Sequence, residues 1–471
     1  MNKRLSIVAF SLIAFVFFAV LIGFNNPSLA QNQNEILSEE DNLSELTVKI
    51  ASLTTKFRNK KFYENNQLED SITELAERRY SKLTELIEND TMEVLRVALP
   101  EDVLSKIPFE LQNYFEKREE TEGELEVVSE CEDNDERILY YLKNGKERLS
   151  LRFAKQPDEE LRTGERVSIK GVRIGETIAV DESSLPKNSD SFQASAMTLP
   201  NTFGEQKVLV LLVNFQNDQR QPFTIDQARN LVFGTVNNFY REASYQQTWL
   251  TGDAYGYFTL PINSGDCGGS QTATYARQAA INAGINVSAY NKFMYVYPQM
   301  SGCNYSGRGT IGGNEVWLNG SLSQWTVAHE LGHNYGLYHA RALECGSAVL
   351  GNNCSTIEYG NTVDTMGTEN AHFHSYQKER LGWLNFNVSP PITTVQTGGN
   401  YFIAPYSAQD GKTKALKILK SVDSSGNKTW YHLEVRRPIG FDRFVLSNSN
   451  FMNGVIITMN KETNGQENYL L

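Results

Sequence analysis

The spacing of apolar positions changes repeatedly along this 471-residue chain, and each change predicts a different element. Lys3 and Arg4 precede an apolar run from Leu5 to Phe24, and the small residues Ser28 and Ala30 follow it. That is the pattern of a cleaved export signal, so residues 1–30 are set aside from the fold. Left uncleaved, the run is long enough to anchor the chain in a bilayer. Residues 31–123 are polar, with Ile72, Ala76, Tyr80, Leu83 and Ile87 recurring at helical spacing. They predict at least one amphipathic helix, ended by Pro100 and Pro108. From 124 to 182 the text shifts to short alternating runs, with Asn144-Gly145 as a hairpin turn between two of them. A small β-domain is expected there. Residues 183–204, rich in Ser, Asn, Pro and Thr, read as a linker open to proteolysis, which makes 31–204 a candidate pro-region.

A second pattern begins at 205. Lys207 to Phe215 is a continuous apolar run, as in a strand buried on both faces. Thr224 and Gln227 form a capping pair for a helix that carries Ala228, Val232, Val236 and Tyr240 on one side. Phe293 to Tyr297 reads as another buried strand, and Gly309 to Asn319 as a glycine-interrupted one. Strands alternating with helices predict a mixed α/β (α+β) domain over 205–390. After Pro391, the runs Asn400–Pro405, Ala415–Leu419, Trp430–Val435 and Gly454–Met459 predict short strands, so 391–471 is expected to be a β-sandwich-like module. It stops on apolar residues, as an incomplete domain would.

Between these lies His329-Glu330-Leu331-Gly332-His333-Asn334-Tyr335-Gly336-Leu337-Tyr338-His339, which holds three of the chain's six histidines. Residues four apart share one face of a helix, so His329 and His333 can aim two imidazoles at a single point. Gly336 can leave the helix in a left-handed conformation, which lets the chain turn and bring His339 back as a third ligand. Three nitrogen ligands with a fourth position open are the arrangement of one catalytic Zn²⁺. Glu330, rotated beside the pair, is placed to act as general base on a water and not as a ligand. Ca²⁺ has no motif to support it.

This extended motif resembles that of the metzincin metallopeptidases, which implies a zincin-like catalytic domain with a mixed sheet and an active-site helix. The segment from Glu358 to Gly367 supplies a candidate methionine turn with Met366 beneath the site, and the following run from His372 through Trp383 is similar to the gametolysin family. The resemblance implies that the Gly309–Asn319 strand is a sheet edge lining the cleft, able to take a peptide as an added strand. It further implies an endopeptidase acting on extracellular proteins. Some metzincins carry a tyrosine ligand two residues after the methionine; here that position is Thr368. His372 and His374 are candidates for a contact to substrate or oxyanion.

Cysteine usage fits an exported chain. Cys345 with Cys354 would close a short loop between the third histidine and the methionine turn, and Cys267 with Cys303 would follow. Cys131 remains; it is a candidate zymogen switch thiolate, or an ordinary leftover cysteine, and its acidic neighbours oppose the thiolate. The net charge of -12 argues against nucleic acid and anionic membrane surfaces, and leaves proteins or peptides as expected partners. A non-catalytic adhesion or matrix-binding protein on the same scaffold is the competing reading, though such a scaffold has no need of Glu330 and all three histidines.

Overall fold

The computed structural model describes residues 43–58, 66–105, 107, 109–132, 135–145, 147–157, 160–181, 199–351, 353–447 and 449–471. The expected export signal and residues 183–198 of the expected linker lie outside the described residues. None of the helices among the described residues is long and apolar enough to cross a membrane.

The chain divides into two units, 1–79 and 80–471. In the first, the helix Leu43–Arg58 buries Leu46 and Ile50, and the start of the helix Asn66–Asn89 buries Ile72, Leu75 and Ala76. Arg79 Nε donates to Thr47 Oγ1 at 2.9 Å.

In the second unit the short helices Thr91–Val97 and Glu101–Leu104 precede five strands: β1 (Lys117–Glu132), β2 (Asp135–Asn144), β3 (Glu147–Phe153), β4 (Arg166–Ile174) and β5 (Thr177–Val180). Their pairing runs β1-β2-β3-β5-β4 and returns to β1, with only β3 and β5 parallel. The five strands therefore close into a small barrel around Leu125, Val127, Leu142, Leu149, Leu151, Ile169 and Ile178. Its first strand is longer than the barrel needs. Lys117–Glu124 pairs with β4, but past that point β1 continues alone on that side and Val128–Cys131 pairs antiparallel with β9 (Gly307–Thr310). The barrel and the following domain thus share one ten-stranded sheet.

Beyond β9 that sheet continues through β10 (Glu315–Asn319), β8 (Lys292–Tyr297), β6 (Gly204–Phe215) and β7 (Thr248–Leu260). The stretch read as one strand over 309–319 is a hairpin, β9 antiparallel to β10. Gly312, at φ +72, adopts the left-handed turn conformation that a continuous strand excludes. From Val208 to Val213, β6 is apolar at every step because both faces are covered. Val208, Val210 and Leu212 pack toward the histidine helix and the helical segment 225–243, whereas Leu209, Leu211 and Val213 pack toward the helix Ser270–Asn282. Each such side chain contributes roughly 1.5–3 kcal/mol on burial. At the start of segment 225–243, Thr224 and Gln227 form a reciprocal capping box.

The second sheet is ordered β12-β11-β17-β16-β15-β14-β13. Here β11 (Arg341–Glu344) and β12 (Ser355–Ile357) come from the segment between the third histidine and the methionine turn. The other strands are β13 (Ile392–Val395), β14 (Ala415–Val422), β15 (Lys428–Glu434), β16 (Ile456–Lys461) and β17 (Asn464–Leu470). The expected sandwich is thus a single sheet that borrows two strands from the preceding domain. Asn400–Pro405 does not form the expected strand: the segment stays irregular, with Phe402 91% exposed.

Candidate metal centre

Ser323 starts the histidine helix, Gln324–Asn334, by accepting the Thr326 amide at 3.1 Å. Its end is set by Gly336, at φ +91. The Gly336 amide bonds the His333 carbonyl at 2.7 Å, and the Leu337 amide bonds the Gly332 carbonyl at 3.1 Å. These paired bonds turn the chain sharply off the helix and carry His339 back over it.

The nitrogens of His329, His333 and His339 that could hold a metal lie within 4.8 Å of one another, and all three side chains are buried. Each Nδ1 is already engaged. His329 Nδ1 meets the Thr365 carbonyl at 2.8 Å, His333 Nδ1 the Leu337 carbonyl at 2.8 Å, and His339 Nδ1 a Glu358 carboxylate oxygen at 3.0 Å. Carbonyls and carboxylates only accept, so each Nδ1 carries the proton and each Nε2 presents its lone pair inward. Burial also holds the pKa of His329 at about 4, and that of His333 and His339 well below the usual value, so the rings are neutral. His333 Nε2 and His339 Nε2 stand 3.2 Å apart, and His329 Nε2 has no hydrogen-bond partner. Two lone pairs that close repel each other unless a cation lies between them. The donor set fits a bound metal, and three imidazoles suit zinc, copper or nickel.

Glu330 is fully buried on the same helix, beneath β9. A Cβ on Gly307 would lie 2.3 Å from its carboxylate, and one on Gly309 would lie 2.6 Å from its backbone carbonyl. The two glycines are what let β9 run this close over the helix. From below, Met366 is buried against Gly332, where a Cβ would stand 2.4 Å from the Met366 sulfur. Asp364 shapes that turn, accepting the Met366 amide at 2.6 Å and both the amide and Nδ1 of His374 at 2.6 Å.

Above the histidines lies β1. Ser129, fully buried, sits opposite Gly309 in the strand register, and its hydroxyl donates toward His339 Nε2 at 3.4 Å. Two residues on, the backbone of Cys131 pairs opposite Gly307. β9, expected from the resemblance to lie at a sheet edge, is instead paired on both sides, with β10 and with the chain's own β1.

Several contributors were not singled out from the sequence. Glu358 orients His339 and also accepts the Arg341 Nε at 2.6 Å. The Tyr359 ring lies 4.0 Å from that of His339, whereas Thr368 is exposed. Trp325 packs 4.9 Å from His329 and donates to the Gly367 carbonyl at 3.1 Å. Asn468, on β17, holds the His339 carbonyl at 2.8 Å, which ties the second sheet to the third ligand. The helical pattern could have flagged Trp325, one turn before His329; the others come from distant segments with no local signal.

The other histidines and the cysteines make contacts of their own within the chain. His372 Nε2 meets Glu242 at 2.9 Å and its Nδ1 meets Lys378 Nζ at 3.0 Å. His374 is fixed to Asp364, while Arg436 bridges Glu434 and Asp442 beside the His372 carbonyl. These contacts seat the second sheet against the methionine turn. His432 is likewise buried between Glu379 and Asn460. Cys267 is bonded to Cys303 and Cys345 to Cys354. Among the described residues, the three histidines are the one cluster of His, Cys, Asp or Glu spaced to share a metal.

A search of curated proteins finds no match to the chain. Residues 207–429, a little under half of the chain, match the family described as gametolysin peptidase M11, a zinc metallopeptidase family, and the three-histidine cluster lies inside that stretch.

Proposed function

We propose that the chain is an exported zinc endopeptidase, made as a latent precursor in which β1, within the segment before 205, covers the site until that segment is cut away. One observation carries the reading. Three inward-facing Nε2 atoms and Glu330 lie beneath β1, a peptide strand laid along β9 as an extended substrate would be. His329, His333 and His339 would hold a zinc ion, which would supply Lewis acidity to a water and to the scissile carbonyl. Glu330 then takes the proton from the attacking water and passes it to the leaving amine. β9 holds the substrate backbone in register through its ladder bonds, and Gly307 and Gly309 bring that backbone close to the carboxylate. The N-terminal pattern and the two disulfides support export.

Casein clearance by the full chain tests this reading, measured before and after limited proteolysis within 183–204. Activity that appears on cleavage, disappears with a chelator and returns with zinc supports it. A cleaved chain that is inactive, or active regardless of chelator, overturns it.

A further inference from the structure

Alternate residues of a strand face opposite sides of its sheet. Ser129 faces the histidines, so Glu130 faces away from them, and there it meets Arg308, its direct partner across the β1–β9 ladder. Arg308 is fully buried, with its guanidinium over the rings of Tyr305 at 5.1 Å and Trp317 at 5.5 Å. Nη1 donates to the Cys267 carbonyl, next to the Cys267–Cys303 disulfide. Nε and Nη2 have no hydrogen-bond partner. The Glu130 carboxylate stands 3.7 Å from Nη1, longer than a hydrogen bond. The pro-strand thus neutralises this buried cation but does not use its remaining donors. A buried guanidinium without an anion is strongly disfavoured, and a planar carboxylate is the group that engages its fork on two points.

We propose that Arg308 is a specificity-determining residue of the cleft. It selects substrates with a Glu or Asp side chain just after the residue that lies over the histidines, the place Glu130 holds in the precursor. The inference rests on the reading of β1 as the pro-strand of a peptidase. When β1 leaves, a peptide bound antiparallel along β9 inherits its register and its alternation of faces. It must then supply the carboxylate that Arg308 has lost. Tyr305, Trp317 and the disulfide-closed loop wall this position.

The test uses the full chain, activated by limited proteolysis, on two peptides that differ only by Glu or Gln at that position, with the cleaved bond located by mass spectrometry. The Glu peptide is expected to be cleaved with at least about tenfold higher kcat/KM, the size of one charge-assisted hydrogen bond. It is also expected to bind the activated Glu330→Gln chain more tightly by a similar factor. Arg308→Gln should bring the ratio close to one. If that variant fails to fold, the wild-type ratio decides alone. Equal cleavage and equal binding of the two peptides overturn this inference while leaving the peptidase reading intact. A chain that cleaves neither peptide nor any other overturns both.

Discussion

Glu358 and His339 form a hydrogen bond of 3.0 Å, through which a carboxylate from the loop before the methionine turn fixes the ring of the third histidine. The other carboxylate oxygen is held by Arg341 at 2.6 Å, so the pair cannot swing freely. Groups of this kind orient a ligand and raise its basicity, and losing one commonly lowers metal affinity about 10–100-fold. Glu358→Ala is expected to weaken zinc binding by that factor while leaving the far-ultraviolet circular dichroism unchanged. A competitive zinc titration reads it, and wild-type affinity in the variant would remove Glu358 from the metal site.

Gly309, on β9, and Gly332, within the histidine helix, each mark a close approach, and a methyl group added to each meets different matter. At Gly309 it would lie 2.6 Å from the Glu330 carbonyl, which is backbone and cannot move without the helix. At Gly332 it would lie 2.4 Å from the thioether sulfur of Met366, a flexible side chain that can repack. Gly309→Ala should therefore cost more, about 3 kcal/mol against about 1 for Gly332→Ala, within the usual range for overpacking. Urea denaturation of the two variants gives the order, and the reverse order would contradict this account of the close approach.

Acid stability should depend on Glu379. Burial raises its carboxyl pKa, but the hydrogen bond and charge of His432 and the ammonium of Lys417 outweigh it and hold the value at about 2. The unfolded chain therefore binds more protons between about pH 4.5 and about pH 2. The group's stabilisation is complete above that window and is lost as pH falls through it, up to about 3 kcal/mol. Glu379→Gln should be less stable at pH 7 and flatter across pH 4.5 to 2. An unchanged slope in chemical denaturation would show that the pair contributes nothing.

The features legible in the sequence are those with a local period or a fixed spacing. The run through Val208–Val213, the capping pair Thr224 and Gln227, and the turn at Asn144-Gly145 each carry their instruction within a few residues. The histidines are readable for the same reason, since helix pitch and one glycine are enough to gather them. What escaped depends on pairing between distant segments. Nothing near Val128 tells that β1 leaves β4 for β9, nor that Asn468 on β17 will hold the His339 carbonyl. The glycines of β9 read as interruptions of a strand, whereas in the structure they open a turn and admit the Glu330 carboxylate. Asn400–Pro405 has strand-like residues but forms no strand: its Ala404 amide bonds the Thr413 carbonyl at 2.8 Å without starting a ladder, and the segment stays irregular.

The central claim is that His329, His333 and His339 hold zinc while Glu330 moves the proton. Its most direct test is the proteolytically activated Glu330→Gln chain, assayed for zinc content and casein hydrolysis in the same preparation. The account predicts one zinc ion per chain, as in the activated wild type, with hydrolysis lower by about 10²–10⁴-fold, the usual worth of a positioned general base. Full zinc content together with wild-type hydrolysis would contradict it.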